Sequence, residues 1–202
     1  MLLHWSPRSP FVRKVMIVAH ETGLADRIDC RRTVVAATQP NAALMRENPL
    51  NKLPTLIRDD GTALYDSAVI CEYLDGLHAG PRLIPAEREA YFTALRRAAL
   101  GDGLLDLLIL WRYERARTHP DPAHLAACAV KADACLAVLE DEAEALAATP
   151  FGIGHVALGC ALSYVDFRFP ELAWRTGRPR LAAWYAGFAQ RPSARATELR
   201  DG

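Results

Sequence analysis

The character of the chain changes near residue 80, and this change limits the folds that are open to it. Before that point, short β-prone runs alternate with stretches of helical periodicity. After it, the sequence is rich in alanine and leucine and has helical periodicity almost throughout. A chain of 202 residues is long enough for two small domains. We therefore predict a mixed α/β domain followed by an all-helical one.

The first part of the chain, residues 1–78, predicts the element order β-α-β-α-β-β-α. The predicted strands are Leu2–Trp5, 28–35, 55–57 and 62–65, and the predicted helices begin near Pro10, Asn41 and Asp66. The last two strands flank Arg58-Asp59-Asp60-Gly61, a turn sequence that favours a hairpin. A βαβ unit joined to a ββα unit gives a small mixed sheet with helices on its faces, which is the thioredoxin-like arrangement.

Residues 79–85 contain glycine and proline breaks and are predicted to form a linker. Residues 86–202 are predicted to form the helical domain. Its predicted helices cover about 86–118, 122–148, 154–167, 180–190 and 193–199. Gly101 and Gly103 are expected to bend or weaken the first of these helices, because glycine is a poor helix former.

Composition and cysteine usage exclude several classes of function. The chain has 24 basic and 24 acidic residues and no basic stripe, which argues against nucleic-acid binding. No basic segment precedes Pro7, and no stretch approaches the roughly 20 apolar residues of a membrane helix. We therefore expect a soluble cytoplasmic protein. No Cys/His spacing resembles a zinc site, so no metal is expected.

The first chemical motif is Ser-Pro-Phe-Val-Arg-Lys, which begins at Ser9 and opens the first helix. A helix N-terminus has unpaired amide hydrogens and a partial positive charge, so it favours an anion. A serine hydroxyl there can donate a hydrogen bond to a thiolate brought by a substrate, which lowers the pKa of that thiol. The alternative is that Ser9 only caps the helix. Ser6 is a rival hydroxyl in the same loop.

The second motif is Asn-Pro-Leu-Asn-Lys-Leu-Pro-Thr-Leu, at residues 48–56. A proline just before a strand is unusual inside a fold, because it cannot donate to the ladder. If the Leu53–Pro54 bond is cis, the amide and carbonyl of Leu53 can pair with an extended peptide. The alternative is an ordinary loop proline with a trans bond.

The third motif is Asp-Ser-Ala-Val-Ile-Cys-Glu-Tyr-Leu, which begins at Asp66 and Ser67. A carboxylate and a hydroxyl at a helix start suit a γ-glutamyl group, whose carboxylate would be held by Ser67 and the helix N-terminus. Asp66 would then face the ammonium. A plain helix cap explains the same residues equally well when the segment is taken alone.

Together, in this order, the three motifs resemble those of bacterial glutathione S-transferases. The C-terminal Ala-Leu-Ser-Tyr-Val-Asp-Phe-Arg-Phe-Pro, Leu-Ala-Ala-Trp-Tyr and Arg-Pro-Ser stretches resemble the helical domain of that family. The resemblance covers essentially the whole chain. It implies the thioredoxin-like and all-α architecture, glutathione as co-substrate, and a homodimer.

The resemblance also implies roles for individual residues. Ser9 stands where transferases of this type contact the glutathione sulfur. Leu53 would bond the cysteinyl backbone beside a cis Pro54, and Asp66 with Ser67 would hold the γ-glutamyl end. Lys52 would approach the glycyl carboxylate. The electrophilic second substrate would bind between the two domains, and we expect its wall to include Asp102, Leu105, Asp106 and Ile109.

The implied activity is activation of the glutathione thiol for attack on an electrophilic small molecule. Two alternatives remain open: a glutathione-dependent isomerase or dehalogenase on the same scaffold, and a non-catalytic transferase-like interaction protein. One stretch departs from the family pattern, because Gly152 and His155 replace the usual capping box of a later helix. We expect the reciprocal side-chain bonds of that box to be lost.

Overall fold

A computed structural model describes residues 1–201 as two units. One unit comprises Met1–Ala86 together with the segment from Pro192 onwards, and the other comprises Glu87–Arg191. The sequence prediction assigns that last segment to the helical domain, but it packs on the first helix of the first unit, Pro10–Glu21. The reason is a pair of long-range hydrogen bonds: the buried Arg13 donates to the Ala194 carbonyl (3.1 Å), and Ser193 donates to Glu21 (2.5 Å).

The first unit is a four-stranded sheet with helices. Its elements are β1 (Leu2–Trp5), α1 (Pro10–Glu21), a 3₁₀-helix (Ala25–Arg27), β2 (Asp29–Arg32), α2 (Ala42–Met45), β3 (Thr55–Ile57), β4 (Ala63–Leu64) and α3 (Ser67–Asp75). The strand order is β2-β1-β3-β4. Strand β1 pairs parallel with β2 and antiparallel with β3, and β3 pairs antiparallel with β4. This confirms the predicted thioredoxin-like topology.

The second unit is all-helical. Its elements are α4 (Arg88–Arg115), α5 (Pro122–Ala148), α6 (Ile153–Arg168), a 3₁₀-helix (Pro170–Leu172) and α7 (Pro179–Gln190); the short α8 (Pro192–Ala196) belongs to the first unit. Every residue of α6 from Ile153 to Val165 is buried, so α6 is the core helix of this unit. Gly101 of α4 lies directly against the α6 backbone at Ala157.

The start of α6 corrects the expectation about its capping box. Gly152 has no side chain that could accept a hydrogen bond from the helix, but the His155 ring forms the other bond of the box. Its Nδ1 accepts from the Gly152 amide at 3.1 Å. The opposite ring nitrogen, Nε2, donates to the Leu146 carbonyl at 3.0 Å. An imidazole can do this because its neutral form carries one acceptor and one donor. Burial lowers the pKa of His155, which favours that neutral form.

Helix α5 departs from the expectation that no segment has the character of a membrane span. Its 27 residues include an 18-residue window with a mean hydropathy of 1.4, because alanines raise the average. By length and composition it is the one helix among residues 1–201 that could cross a membrane. Core helices of soluble proteins also meet this criterion.

Candidate functional site

The strand register brings the three sequence motifs to one end of the sheet. His4 near the end of β1 pairs with Thr55 at the start of β3, and Leu56 pairs with Leu64 at the end of β4. The loop after β1 carries the two candidate serines, the turn before β3 carries the prolyl motif, and the segment after β4 carries the acidic cap. These three segments therefore converge, although they are far apart in sequence.

Both candidate hydroxyls of the first motif retain a proton that they can donate. Ser9 is the N-cap of α1, and its Oγ accepts from the Val12 amide at 3.2 Å. The Ser6 Oγ accepts from the Arg8 amide at 3.4 Å. Accepting a bond uses a lone pair and leaves the hydroxyl proton available. The capping role of Ser9 is thus compatible with a second bond to a ligand, and Ser9 alone of the two caps the helix.

The turn before β3 is built on a buried hydrogen-bond network. Asn48 is fully buried, and its Nδ2 donates to Thr55 Oγ1 at 2.8 Å and to the Lys52 carbonyl at 3.3 Å. The Thr55 hydroxyl donates to the same carbonyl at 2.9 Å, while Asn48 Oδ1 accepts from the Leu50 amide at 3.0 Å. The sequence analysis assigns no role to Asn48 and Thr55, although both lie within the second motif. The sequence feature that could indicate this network is a short polar residue at each end of the turn.

This network holds the backbone of Leu53 in place while leaving it open. The Leu53–Pro54 bond is cis, as predicted. Among residues 1–201, no hydrogen bond engages the amide or the carbonyl of Leu53, whereas its side chain is buried. Lys52 is exposed and makes no ion pair within the same residues. An unpaired donor and acceptor next to a strand can accommodate an extended peptide.

The third motif forms the start of α3. Asp66 is the N-cap, and its Oδ1 accepts from the Ala68 amide at 2.9 Å while the side chain remains exposed. Ser67, the first residue of the helix, is buried, and its hydroxyl makes no hydrogen bond within the described chain. The peptide bond between Tyr65 and Asp66 is also cis. A carboxylate, a hydroxyl and helix amides thus lie together at one end of the sheet.

A buried histidine that sequence reasoning missed holds the neighbouring segment that runs from the end of β2 through α2. His4 Nδ1 lies 2.8 Å from Thr33 Oγ1, and His4 Nε2 lies 2.5 Å from Glu47 Oε2. The Thr33 hydroxyl donates to the Arg31 carbonyl at 3.1 Å. One side chain of β1 therefore contacts the residue after β2 and a residue just after α2, through contacts that no local sequence pattern indicates.

The residues expected to line a second-substrate pocket share one face of α4 but differ in exposure. Leu105 is wholly buried in the described chain, Asp102 and Ile109 are half-buried, and Asp106 is exposed. Their role as a pocket wall stays a prediction. No group of three or more potential metal ligands occurs among residues 1–201.

Comparison with known proteins gives the family. Models of the glutathione S-transferase N-terminal and C-terminal domains match residues 8–77 and 122–187. The chain is 28% identical, over 98% of both sequences, to the uncharacterized GST-like protein YibF of Escherichia coli strain K12.

Two solved structures of a glutathione transferase family member from Pseudomonas fluorescens Pf-5 are closer in sequence. One, with bound glutathione, is 44% identical, covers 99% of each chain and superposes with a TM-score of 0.95. The other, with bound S-(propanoic acid)-glutathione, is 42% identical, covers 100% of each chain and has a TM-score of 0.90. With matching domain models in both halves and this similarity along its length, the chain belongs to the glutathione S-transferase family.

Proposed function

We propose that this protein binds glutathione at the end of the sheet described above and activates its thiol for attack on an electrophilic small molecule. The observation that carries the proposal is the unengaged backbone of Leu53 between a serine-capped helix start and an acid-capped one. The Pseudomonas fluorescens relative with bound glutathione supports the choice of ligand.

In this proposal, glutathione lies antiparallel to the residue before the cis-proline. Its cysteinyl backbone exchanges hydrogen bonds with the amide and carbonyl of Leu53. The γ-glutamyl ammonium faces the Asp66 carboxylate, and the γ-glutamyl α-carboxylate accepts from Ser67 and the first amides of α3. The exposed Lys52 approaches the glycyl carboxylate.

Activation of the glutathione thiol requires a modest electrostatic stabilisation of its thiolate form. Lowering a thiol pKa by two units takes about 2.7 kcal/mol. A charge-assisted hydrogen bond from Ser9 is worth about 1.5–3 kcal/mol, and the N-terminus of α1 adds about 0.3–1 kcal/mol. The thiolate then forms a C–S bond to the electrophilic carbon, and the leaving group departs with its electron pair.

We also propose that the protein acts as a cytoplasmic homodimer. An apolar groove of about 390 Å³ on the sheet unit supports an interface between copies. It is lined by Leu64, Val69, Glu72, Tyr73, Gly76 and Leu77. Sedimentation velocity of the purified chain tests whether it forms a dimer. A monomer at micromolar concentration would contradict the proposed homodimer.

Titration calorimetry with glutathione, on an Asp66→Asn variant, tests the proposed binding mode. Asparagine caps a helix as well as aspartate does, so α3 is preserved while the charge facing the ammonium is removed. We expect a loss of affinity of about tenfold or more, from one charge-assisted hydrogen bond.

Asp60→Asn is the matched control, because Asp60 lies in the hairpin turn at the other end of the sheet and also accepts from a backbone amide. Its glutathione affinity should equal that of the unmodified protein. A folded protein that releases no heat with glutathione would favour the interaction protein over the enzyme. Binding with turnover only of halogenated or isomerisable substrates would favour the dehalogenase or isomerase.

A further inference from the structure

A second concave site lies between β2 and α2, and it shares no lining residue with the proposed glutathione site. Its volume is about 540 Å³. The lining residues are His4, Arg31, Arg32, Thr33, Val34, Asn41, Ala43, Leu44, Arg46 and Glu47. Three arginines and one glutamate therefore surround it, which leaves an excess of two positive charges when His4 is counted as neutral.

The inner wall of this arginine pocket is cross-linked by hydrogen bonds. His4 is buried and bridges Thr33 and Glu47, so β1 is linked to residues just after β2 and just after α2. Asn41 closes the rim: its Nδ2 donates to the Val34 carbonyl at 3.1 Å, while its Oδ1 caps α2. A concavity whose walls are cross-linked by hydrogen bonds is preorganised for a ligand.

Two of its arginines have no internal partner. Within residues 1–201, the side chains of Arg31 and Arg46 make no hydrogen bond, ion pair or ring contact. Several other arginines of the chain are paired with carboxylates; Arg175, for example, forms a two-pronged bond with Asp166 at 2.7 Å and 2.7 Å. Glu47, the acidic residue of the pocket, is already engaged by His4.

We propose that this arginine pocket binds an organic phosphate monoester. A phosphate monoester carries about two negative charges at neutral pH, which match the excess charge of the lining. Guanidinium forks suit phosphate oxygens, and the unpaired Arg31 and Arg46 supply two of them. The pocket volume leaves room for an organic body beside the phosphate, bounded by the apolar Leu44 and Ala43.

Titration calorimetry at low ionic strength tests this site, with inorganic phosphate and glycerol phosphate as the probes. We expect one saturable site per chain, with tighter binding of glycerol phosphate. Arg31→Gln and Arg46→Gln should each weaken binding about tenfold, the loss of one charge-assisted contact. Arg27→Gln, at an exposed arginine outside the pocket, is the matched control and should bind as the unmodified chain does.

Two further readouts keep the site distinct from the glutathione site and from misfolding. In the unmodified chain, glycerol phosphate should shift the amide resonances of Thr33 and Arg46. Saturating glutathione should leave the affinity for glycerol phosphate unchanged. The proposal is overturned by the absence of saturable binding, by equal weakening in Arg27→Gln, or by one-to-one competition with glutathione. None of these results depends on whether the protein is a transferase.

Discussion

Gly101 and Gly103 lie two residues apart in α4, and we expect alanine to destabilise the protein at the first position and to stabilise it at the second. A methyl group on Gly101 would lie 2.6 Å from the Ala157 carbonyl carbon, 2.8 Å from its oxygen and 2.9 Å from the Leu158 nitrogen. A methyl group on Gly103 would meet nothing within 4 Å. Gly101→Ala therefore probes the crossing of α4 and α6, and Gly103→Ala probes helix propensity alone.

The magnitudes follow from these distances. Alanine in place of glycine stabilises a helix interior by about 1 kcal/mol, so Gly103→Ala should raise the free energy of unfolding by that order. For Gly101→Ala, the obstructing atoms are backbone, and α4 must move away from α6 by about 1 Å, which forfeits a quarter to a half of each contact at the crossing. Overpacking of this kind costs about 3 kcal/mol at the upper end of its range. The net loss is about 2 kcal/mol.

Thermal denaturation followed by circular dichroism measures both variants against the unmodified chain. Thermal midpoints should fall by about 4–8 °C for Gly101→Ala and rise by about 2–4 °C for Gly103→Ala. Equal midpoints for the two variants would refute the close approach of α4 and α6. A stabilised Gly101→Ala protein would show that the helices separate at no cost.

Three further predictions concern polar side chains that hydrogen-bond to the backbone. Burial lowers the pKa of His155 below its unfolded value near 6.5, so the unfolded state takes up the proton first as the pH falls. Stability should therefore be constant above about pH 6.5 and decline below it, with a smaller decline in His155→Gln, as measured by urea titration at each pH. Asp75 is buried and accepts from the Leu83 amide at 2.7 Å. Asp75→Ala should therefore lower the free energy of unfolding by about 1–3 kcal/mol in the same urea assay, and an unchanged midpoint would contradict the role of Asp75 in ordering the linker. Glu140 accepts from the Leu181 amide at 2.7 Å and so stands in for the missing side-chain cap of α7. Glu140→Ala removes this acceptor and should lower the thermal midpoint.

Local patterns were sufficient to predict most of the fold. The hairpin turn at Arg58-Asp59-Asp60-Gly61 and the proline at the start of α1 each predict one element, and the leucine- and alanine-rich second half predicts the later helices, all through short-range physics. Their order then leaves few topologies, and the four-stranded sheet is one of them. Most predicted helix bounds differ from the observed ones by a few residues, because helix ends depend on caps.

The features that sequence reasoning missed are long-range. Glu47 reaches His4 across 43 positions of the chain, and Glu140 caps a helix 41 positions away. The sequence predicts that Gly101 bends or weakens α4, whereas the structure shows a requirement for close packing against α6. Each of these contacts depends on the tertiary arrangement, which no periodicity or turn signal encodes.

The most direct test of thiol activation is the pKa of glutathione bound to the protein, followed by the ultraviolet absorbance of its thiolate. Ser9→Ala should raise that pKa by about one to two units, from loss of one charge-assisted hydrogen bond, while Ser9→Thr and Ser6→Ala leave it unchanged. A thiol pKa that is unmoved in Ser9→Ala and raised in Ser6→Ala would contradict the assignment of the activating hydroxyl to Ser9. A bound thiol with the same pKa as free glutathione would contradict activation altogether.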